Sequence, residues 1–173
     1  MKKILTIIGS TGLGKTDLAI KIAKKINGEI IGLDSRQIYK YMPIGTAQPS
    51  ETELRDVPHH LIGFRDPWQS ISAGEYAKMV FKKVYEIKNR NRFPIICGGA
   101  GLYYMAITKG IFSNSYSDSE LREKLKMQYE ENPMPLFDKL QAIDPKYGNI
   151  VHINNKKRLI RALEIFELTG CTP

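Results

Sequence analysis

The chain has 173 residues, 42% of them hydrophobic and 25% charged, which suits one globular domain with a sizeable core and a small appendage. No run of about 18 apolar residues occurs, and Met1-Lys2-Lys3 leads into a short apolar stretch rather than a signal peptide, so no membrane span and a cytoplasmic location are expected. The net charge of +8 fits a polyanionic partner such as RNA, and the two cysteines, Cys97 and Cys171, follow no metal-ligand spacing and are expected as free thiols.

The apolar run Ile4 to Ile8 predicts a strand. The residues after it, Gly9, Ser10, Thr11, Gly12, Leu13, Gly14, Lys15 and Thr16, fit the pattern G-x-x-x-x-G-K-[ST]. A glycine-rich turn between strand and helix points successive backbone N–H groups into one concavity, and the helix N-terminus adds partial positive charge, so phosphate oxygens are the natural ligand. Gly9 and Gly14 allow conformations and close approaches that a side chain would block, Lys15 supplies a cation, and Thr16 offers a hydroxyl to Mg2+ or to an oxygen. From Thr16 to Ile26, Leu18, Ala19, Ile22, Ala23 and Ile26 recur at helical spacing, and Asn27-Gly28 ends the helix. Glu29 to Leu33 predicts a buried strand that runs into Asp34. Strand, helix, strand implies a parallel pair with a right-handed crossover, which places Asp34 beside the phosphate loop at the carboxyl edge of the sheet. Asp34 there suits a catalytic base, or a cap for the following turn, or a holder of Mg2+ through water; the residues alone leave these readings open. Ser35 and Gln37 are hydrogen-bonding candidates on the same loop.

Gln37 to Pro49 reads as loop with one helical turn, Ser50 to Val57 as a further short turn of helix, and His59 to Phe64 as a strand or extended connection. Adjacent His59 and His60 would face opposite ways in a strand, which favours a structural or RNA-contacting role over a metal pair. Ser72 opens a helix through Asn89 with Tyr76, Met79, Val80, Val84 and Ile87 on its apolar face. Pro94 to Cys97 predicts a third buried strand, and Gly98-Gly99-Ala100-Gly101 opens another helix while permitting close approach of a ligand or of backbone. No Asp ends that late strand, where nucleotide-hydrolysing phosphate-loop proteins commonly organise Mg2+; this favours a transferase that uses the loop as a diphosphate grip. Residues 113–150 are charged, helical in pattern and broken at Asn132-Pro133, and are expected as a small helical insertion over one side of the active edge of a core formed by residues 1–112. Residues 151–173 are expected as a return helix of the core, with Arg158 and Arg161 on one face and Gly170 as its cap. The expected fold class is α/β: a phosphate-loop NTPase-like parallel sheet flanked by helices, with that insertion.

In these motifs the sequence resembles the tRNA dimethylallyltransferase (tRNA isopentenyltransferase) family. The resemblance rests on the phosphate loop, then Asp34-Ser-Arg-Gln-Ile-Tyr-Lys40, Ile44-Gly-Thr-Ala-Gln-Pro49 and Pro58-His-His-Leu61. It continues with Gly98-Gly-Ala-Gly-Leu-Tyr103 and Asn154-Asn-Lys-Lys-Arg-Leu-Ile-Arg-Ala-Leu-Glu164. It implies transfer of a dimethylallyl group from dimethylallyl diphosphate to the N6 amine of the adenosine just 3′ of the anticodon in tRNA. By the same resemblance Thr11 to Thr16 grip the diphosphate with Mg2+, and Asp34 takes the amine proton. Asp34, Ser35, Arg36, Gln37, Ala100, Arg122, Lys157, Arg158, Leu159, Ile160 and Arg161 would touch the anticodon stem-loop. Ala100 stands where the family usually has Thr, and Asn155 where it usually has Asp. The family's later part, which supplies a further arginine to the diphosphate and much of the RNA surface, lies beyond residue 173, so full activity is not expected of these residues alone. A monomer is expected. The competing readings are a phosphate-loop small-molecule kinase binding ATP, a relative acting on free adenine nucleotides, and a non-catalytic RNA-binding fragment.

Overall fold

The computed structural model describes residues 4–110 and 117–171. The expected start of the insertion at Ser113, the leading Met1-Lys2-Lys3 and the last two residues lie outside them. The chain divides into two compact units, Met1–Ser113 and Asn114–Pro173.

The first unit is built on four parallel strands, β1 (Leu5–Ile8), β2 (Gly28–Leu33), β3 (His59–His60) and β4 (Phe93–Gly98). Helices α1 (Lys15–Ile26), α2 (Glu51–Asp56), α3 (Ala73–Asn89) and α4 (Gly101–Thr108) connect and cover them. Strands buried on both faces read as unbroken apolar runs, and β2 is buried along all six residues. One face packs on α1 through Ala19, Ile20 and Ala23, while the other meets α3 and α4 through Tyr76, Val80, Ile87 and Tyr103. The Tyr76 ring stacks on Tyr103 at 4.1 Å and its hydroxyl donates to the Gly32 carbonyl at 2.5 Å, tying α3 to β2. On α1 the structure exposes Leu18 and buries Ile20 instead, because the helix turns its 19, 20 and 23 positions to the sheet.

The strand order is β1-β4-β2-β3, so β1 and β2 are not neighbours as strand, helix, strand suggested; β4 lies between them. Chain order carries no information on which strand takes the middle, whereas bare backbone at the tip of β4 does. A Cβ on Gly98 would stand 2.1 Å from the Leu33 carbonyl oxygen, and one on Gly99 would stand 2.9 Å from that of Gly9. Gly99 and Ala100 both donate their N–H groups to the Leu33 carbonyl at 3.0 Å, and Gly9 donates to the Gly98 carbonyl at 3.4 Å. The register sets Ile8, Gly98 and Leu33 level, so all three strands end at one edge.

The second unit is helical: α5 (Ser119–Glu131), α6 (Met134–Ile143), the single turn α7 (Pro145–Gly148) and α8 (Lys156–Thr169). The break at Asn132-Pro133 falls between α5 and α6, where the Asn132 side chain accepts from the Met134 N–H. Asn155 caps α8 by accepting from the Arg158 N–H, the task an Asp would perform, and Gly170 closes the helix at φ 68°. The helix expected to return to the core packs its Leu159, Ile160 and Leu163 with Leu125, Leu136 and Leu140 of α5 and α6 within this unit.

Because the obstacle at Gly98 is backbone, which cannot move aside as a side chain can, Gly98→Ala is expected to destabilise the first unit by about 2 kcal/mol or more. Urea unfolding followed by circular dichroism checks this; an unchanged midpoint would show that β4 need not insert so closely.

Candidate functional site

A cleft of about 210 Å³ opens at the shared strand edge, lined from the phosphate loop by Thr11, Gly12, Gly14, Lys15 and Thr16. Asp34 and Gln37 line it from the end of β2, and Cys97, Gly98 and Gly99 from the end of β4. Gly12 and Gly14 adopt φ 85° and 69°, the left-handed backbone that lets the loop turn its N–H groups inward before α1 begins. Gly14 caps α1 without a side chain, so the cleft meets unscreened N–H groups and the positive end of the helix. Lys15 Nζ donates to the Ser10 carbonyl at 2.5 Å, drawing the ammonium over the loop. The Thr16 hydroxyl forms no hydrogen bond among the described residues. Volume does not single this cleft out: a hollow of about 590 Å³ beside Leu121, Leu125 and Pro135 in the second unit is larger but gathers no such backbone.

Asp34 Oδ1 accepts from the N–H groups of Arg36 at 2.7 Å and Gln37 at 3.2 Å, so the capping reading is realised. Oδ2 forms no hydrogen bond among the described residues, and Asp34 still lines the cleft. One oxygen can therefore anchor the turn while the other accepts a proton. Gln37 Nε2 donates to the Ala47 carbonyl at 2.7 Å, and Gln48 Nε2 donates to the carbonyls of Gln37 at 3.0 Å and Tyr39 at 2.7 Å. These amides brace the loop from 37 to 49 against the strand end.

The remaining predicted site residues lie elsewhere. Gly9 and Ser10 shape the loop through their backbone, Leu13 points outward, and Ser35 and Arg36 are exposed beside the cleft. Ala100 caps α4 with no side-chain bond. In the second unit Lys157 and Arg158 are exposed, whereas Leu159 and Ile160 are buried in its core, Ile160 at the floor of a hollow lined by Arg122, Lys126, Lys156, Lys157 and Arg161. Arg122, singled out for RNA contact, holds the buried Glu164 through Nε at 3.2 Å and Nη2 at 2.9 Å. Arg161 Nη1 holds the same carboxylate at 2.7 Å, and the Asp118 N–H donates to it at 3.1 Å. Burial opposes charge on Glu164, but Arg161, Arg122 and that N–H outweigh it and hold its carboxyl below the usual glutamate range.

Composition did not reveal Cys97 as a cleft residue, although its place before Gly98 on a strand ending at this edge was the available signal. Its thiol donates to the Lys15 carbonyl at 3.6 Å, and burial pushes it up, with the Lys15 charge working the other way. His60 Nε2 bonds the buried Glu29 at 2.5 Å, and Arg90 Nη2 joins the same carboxylate at 2.7 Å, near the start of β2 and away from the cleft. Among the described residues no group of three or more His, Cys, Asp or Glu is placed to hold a metal, and no helix is long and apolar enough to cross a membrane.

A family model described as IPP transferase matches residues 37–173. The tRNA dimethylallyltransferase of Petrotoga mobilis is 46% identical over 170 residues, covering 98% of this chain and 56% of that protein. That of Thermodesulfovibrio yellowstonii is 43% identical over 165 residues, covering 95% and 52%. Among solved structures, a full-length tRNA isopentenylpyrophosphate transferase from Bacillus halodurans superposes with a TM-score of 0.64 at 39% identity, over 100% of this chain and 57% of that one. A eukaryotic dimethylallyltransferase acting on tRNA superposes with a TM-score of 0.83 at 30% identity, over 100% of this chain and 43% of that one. The chain thus spans about half the length of the curated relatives it matches.

The charge on Glu164 contributes stability that is full above its ordinary range near 4.5 and is lost as pH falls below it. Glu164→Gln is expected to cost about 2 kcal/mol at pH 7 and to flatten the acid-side fall in stability. Urea midpoints from pH 3 to 7 would expose the assignment as wrong if wild type and variant ran parallel.

Proposed function

The chain belongs to the IPP transferase family, and on that premise we propose that it transfers a dimethylallyl group from dimethylallyl diphosphate to the N6 amine of the adenosine 3′-adjacent to the anticodon in tRNA, releasing diphosphate. The observation that carries this reading is the shared cleft, in which the phosphate loop and Asp34 face each other across the bare backbone of Gly98 and Gly99. Two strand spacings set the ends of β1 and β2 about 10 Å apart, and the cleft between them has room for a diphosphate and an attacking amine.

An adenine amine is a weak nucleophile, so the reaction needs help on both sides of the carbon. The loop N–H groups, the α1 terminus and Lys15 stabilise the negative charge that gathers on diphosphate as the carbon–oxygen bond breaks. As the nitrogen–carbon bond forms, the amine proton passes to Asp34, whose Oδ1 stays fixed by the turn behind it. The target base must leave its stack to reach this edge. The donor set suits Mg2+: the Thr16 hydroxyl and the nearby Asp17 carboxylate are hard oxygens, and this ion takes one or two protein ligands with the rest from phosphate and water. When bound by Thr16 and the diphosphate, Mg2+ would neutralise charge on the leaving group. The anticodon stem-loop is the RNA element this reading assigns, Lys157 and Arg158 are its phosphate contacts in the second unit, and the setting is a cytoplasmic monomer.

Incubation with dimethylallyl diphosphate and an anticodon stem-loop is expected to yield prenylated adenosine. Phosphorylation of an acceptor by ATP, with no prenylation, would favour the kinase reading instead. Asp34→Asn keeps the capping oxygen but loses the base, so transfer should fall about 100-fold or more while RNA affinity stays within about twofold. Lys15→Ala should weaken donor binding by about 10- to 100-fold, measured by titration calorimetry with the diphosphate. Near-normal turnover by Asp34→Asn would remove the base from the mechanism.

A further inference from the structure

Next to the cleft, Arg36, Tyr39, Met42, Gly45, Thr46 and Pro67 line a second hollow of about 590 Å³, within the range of small-ligand clefts. Two backbone segments form it side by side: Tyr39 bridges Arg65, and the Lys40 N–H donates to the Arg65 carbonyl at 2.8 Å. Next in the chain to the lining residues Met42 and Pro67, Tyr41 and Trp68 are each 79% exposed, high values for aromatic side chains of a folded unit. Tyr41 holds a left-handed backbone, φ 63°, a conformation that costs a non-glycine residue free energy and is sustained here by the Gln48 amide clasping Tyr39 and Gln37. Arg36 is exposed and forms no ion pair among the described residues, although its own N–H is anchored on Asp34. Of the motif Ile44 to Pro49, Gly45 and Thr46 line this hollow while Ala47 lines the cleft.

Flat apolar rings, a thioether, a hydroxyl and one unpaired guanidinium, beginning two residues from Asp34, match an unstacked nucleobase with its phosphate. Single-stranded RNA is recognised by such stacking on aromatic and guanidinium planes, and successive nucleotides lie close enough for one to occupy each hollow. A protein partner would match the rings but not the unpaired cation beside the proton acceptor on a chain of net charge +8. We infer that this groove is a stacking site for an unpaired nucleotide adjacent to the target adenosine, with Trp68 and Tyr41 flanking the base and Arg36 meeting its phosphate. The inference rests on the reading that the cleft takes an RNA adenosine.

Trp68 is the sole tryptophan of the chain, so its emission reports on the groove directly. Titration of the protein with an anticodon stem-loop, binding being followed separately by anisotropy of a labelled RNA, is expected to quench Trp68 with the same midpoint as binding. Trp68→Ala and Tyr41→Ala should each weaken binding about tenfold, and Trp68→Phe should restore most of the loss. RNA that binds and is prenylated while Trp68 emission and the alanine affinities stay unchanged overturns the groove and spares the transfer reading. Emission that shifts with protein concentration alone, and not with RNA, overturns it in favour of self-association. Absence of both RNA binding and transfer overturns the groove and the transfer reading together.

Discussion

The contact between Gly98 and the Leu33 carbonyl fixes everything else at the strand edge. With β4 between β1 and β2, the phosphate loop and Asp34 are held apart by one strand's width on each side, yet no side chain fills the interval. Any Cβ there would push Leu33, and with it Asp34, away from the loop. The same carbonyl takes the N–H groups of Gly99 and Ala100, so the start of α4 is locked to the end of β2. The site is thus pre-organised by backbone rather than by side-chain packing.

How far could this be read from residues alone? The loop from Gly9 to Thr16 was legible because its chemistry is local: eight consecutive residues carry the turn, the dipole and the cation together. Asp34 was legible as a strand-end acid suited to cap or base, but not that one oxygen caps Arg36 and Gln37 while the other forms no bond among the described residues, since a cap and a base use the same residue type. Strand order was hidden because it depends on contacts far apart in sequence. The role of Gly98 and Gly99 was half visible, the spacing allowing either backbone or ligand to come close, and backbone is what comes. Gln37 and Gln48 brace the loop, which no periodicity could report. Arg122 and the pair Leu159–Ile160 show the opposite limit: on a helix that covers its own core, neighbouring positions divide between surface and interior, and a motif read as one stretch conceals that division.

The second unit draws its order from a charge rather than an apolar layer alone. Glu164 is 0% exposed, and two arginines from different turns and helices converge on it with a backbone N–H. Such a cluster fixes the register of α5 against α8 more sharply than leucines do, because an arginine shifted by one turn would strand a buried carboxylate. The lysine and arginine left outside, Lys157 and Arg158, are carried by the first turn of α8, so what holds the helices also sets the direction of its basic end.

One side of β1 has no strand against it among the described residues, since β4 is its only partner there. Leu5 and Ile8 are open on that strand, and none of its four residues carries a charge to discourage pairing. An extended segment from any source that zipped onto this margin would lengthen the sheet and stiffen the strand from which Gly9 departs. Recruitment of backbone at the rim would then be felt first in the turn that leaves the strand at Gly9.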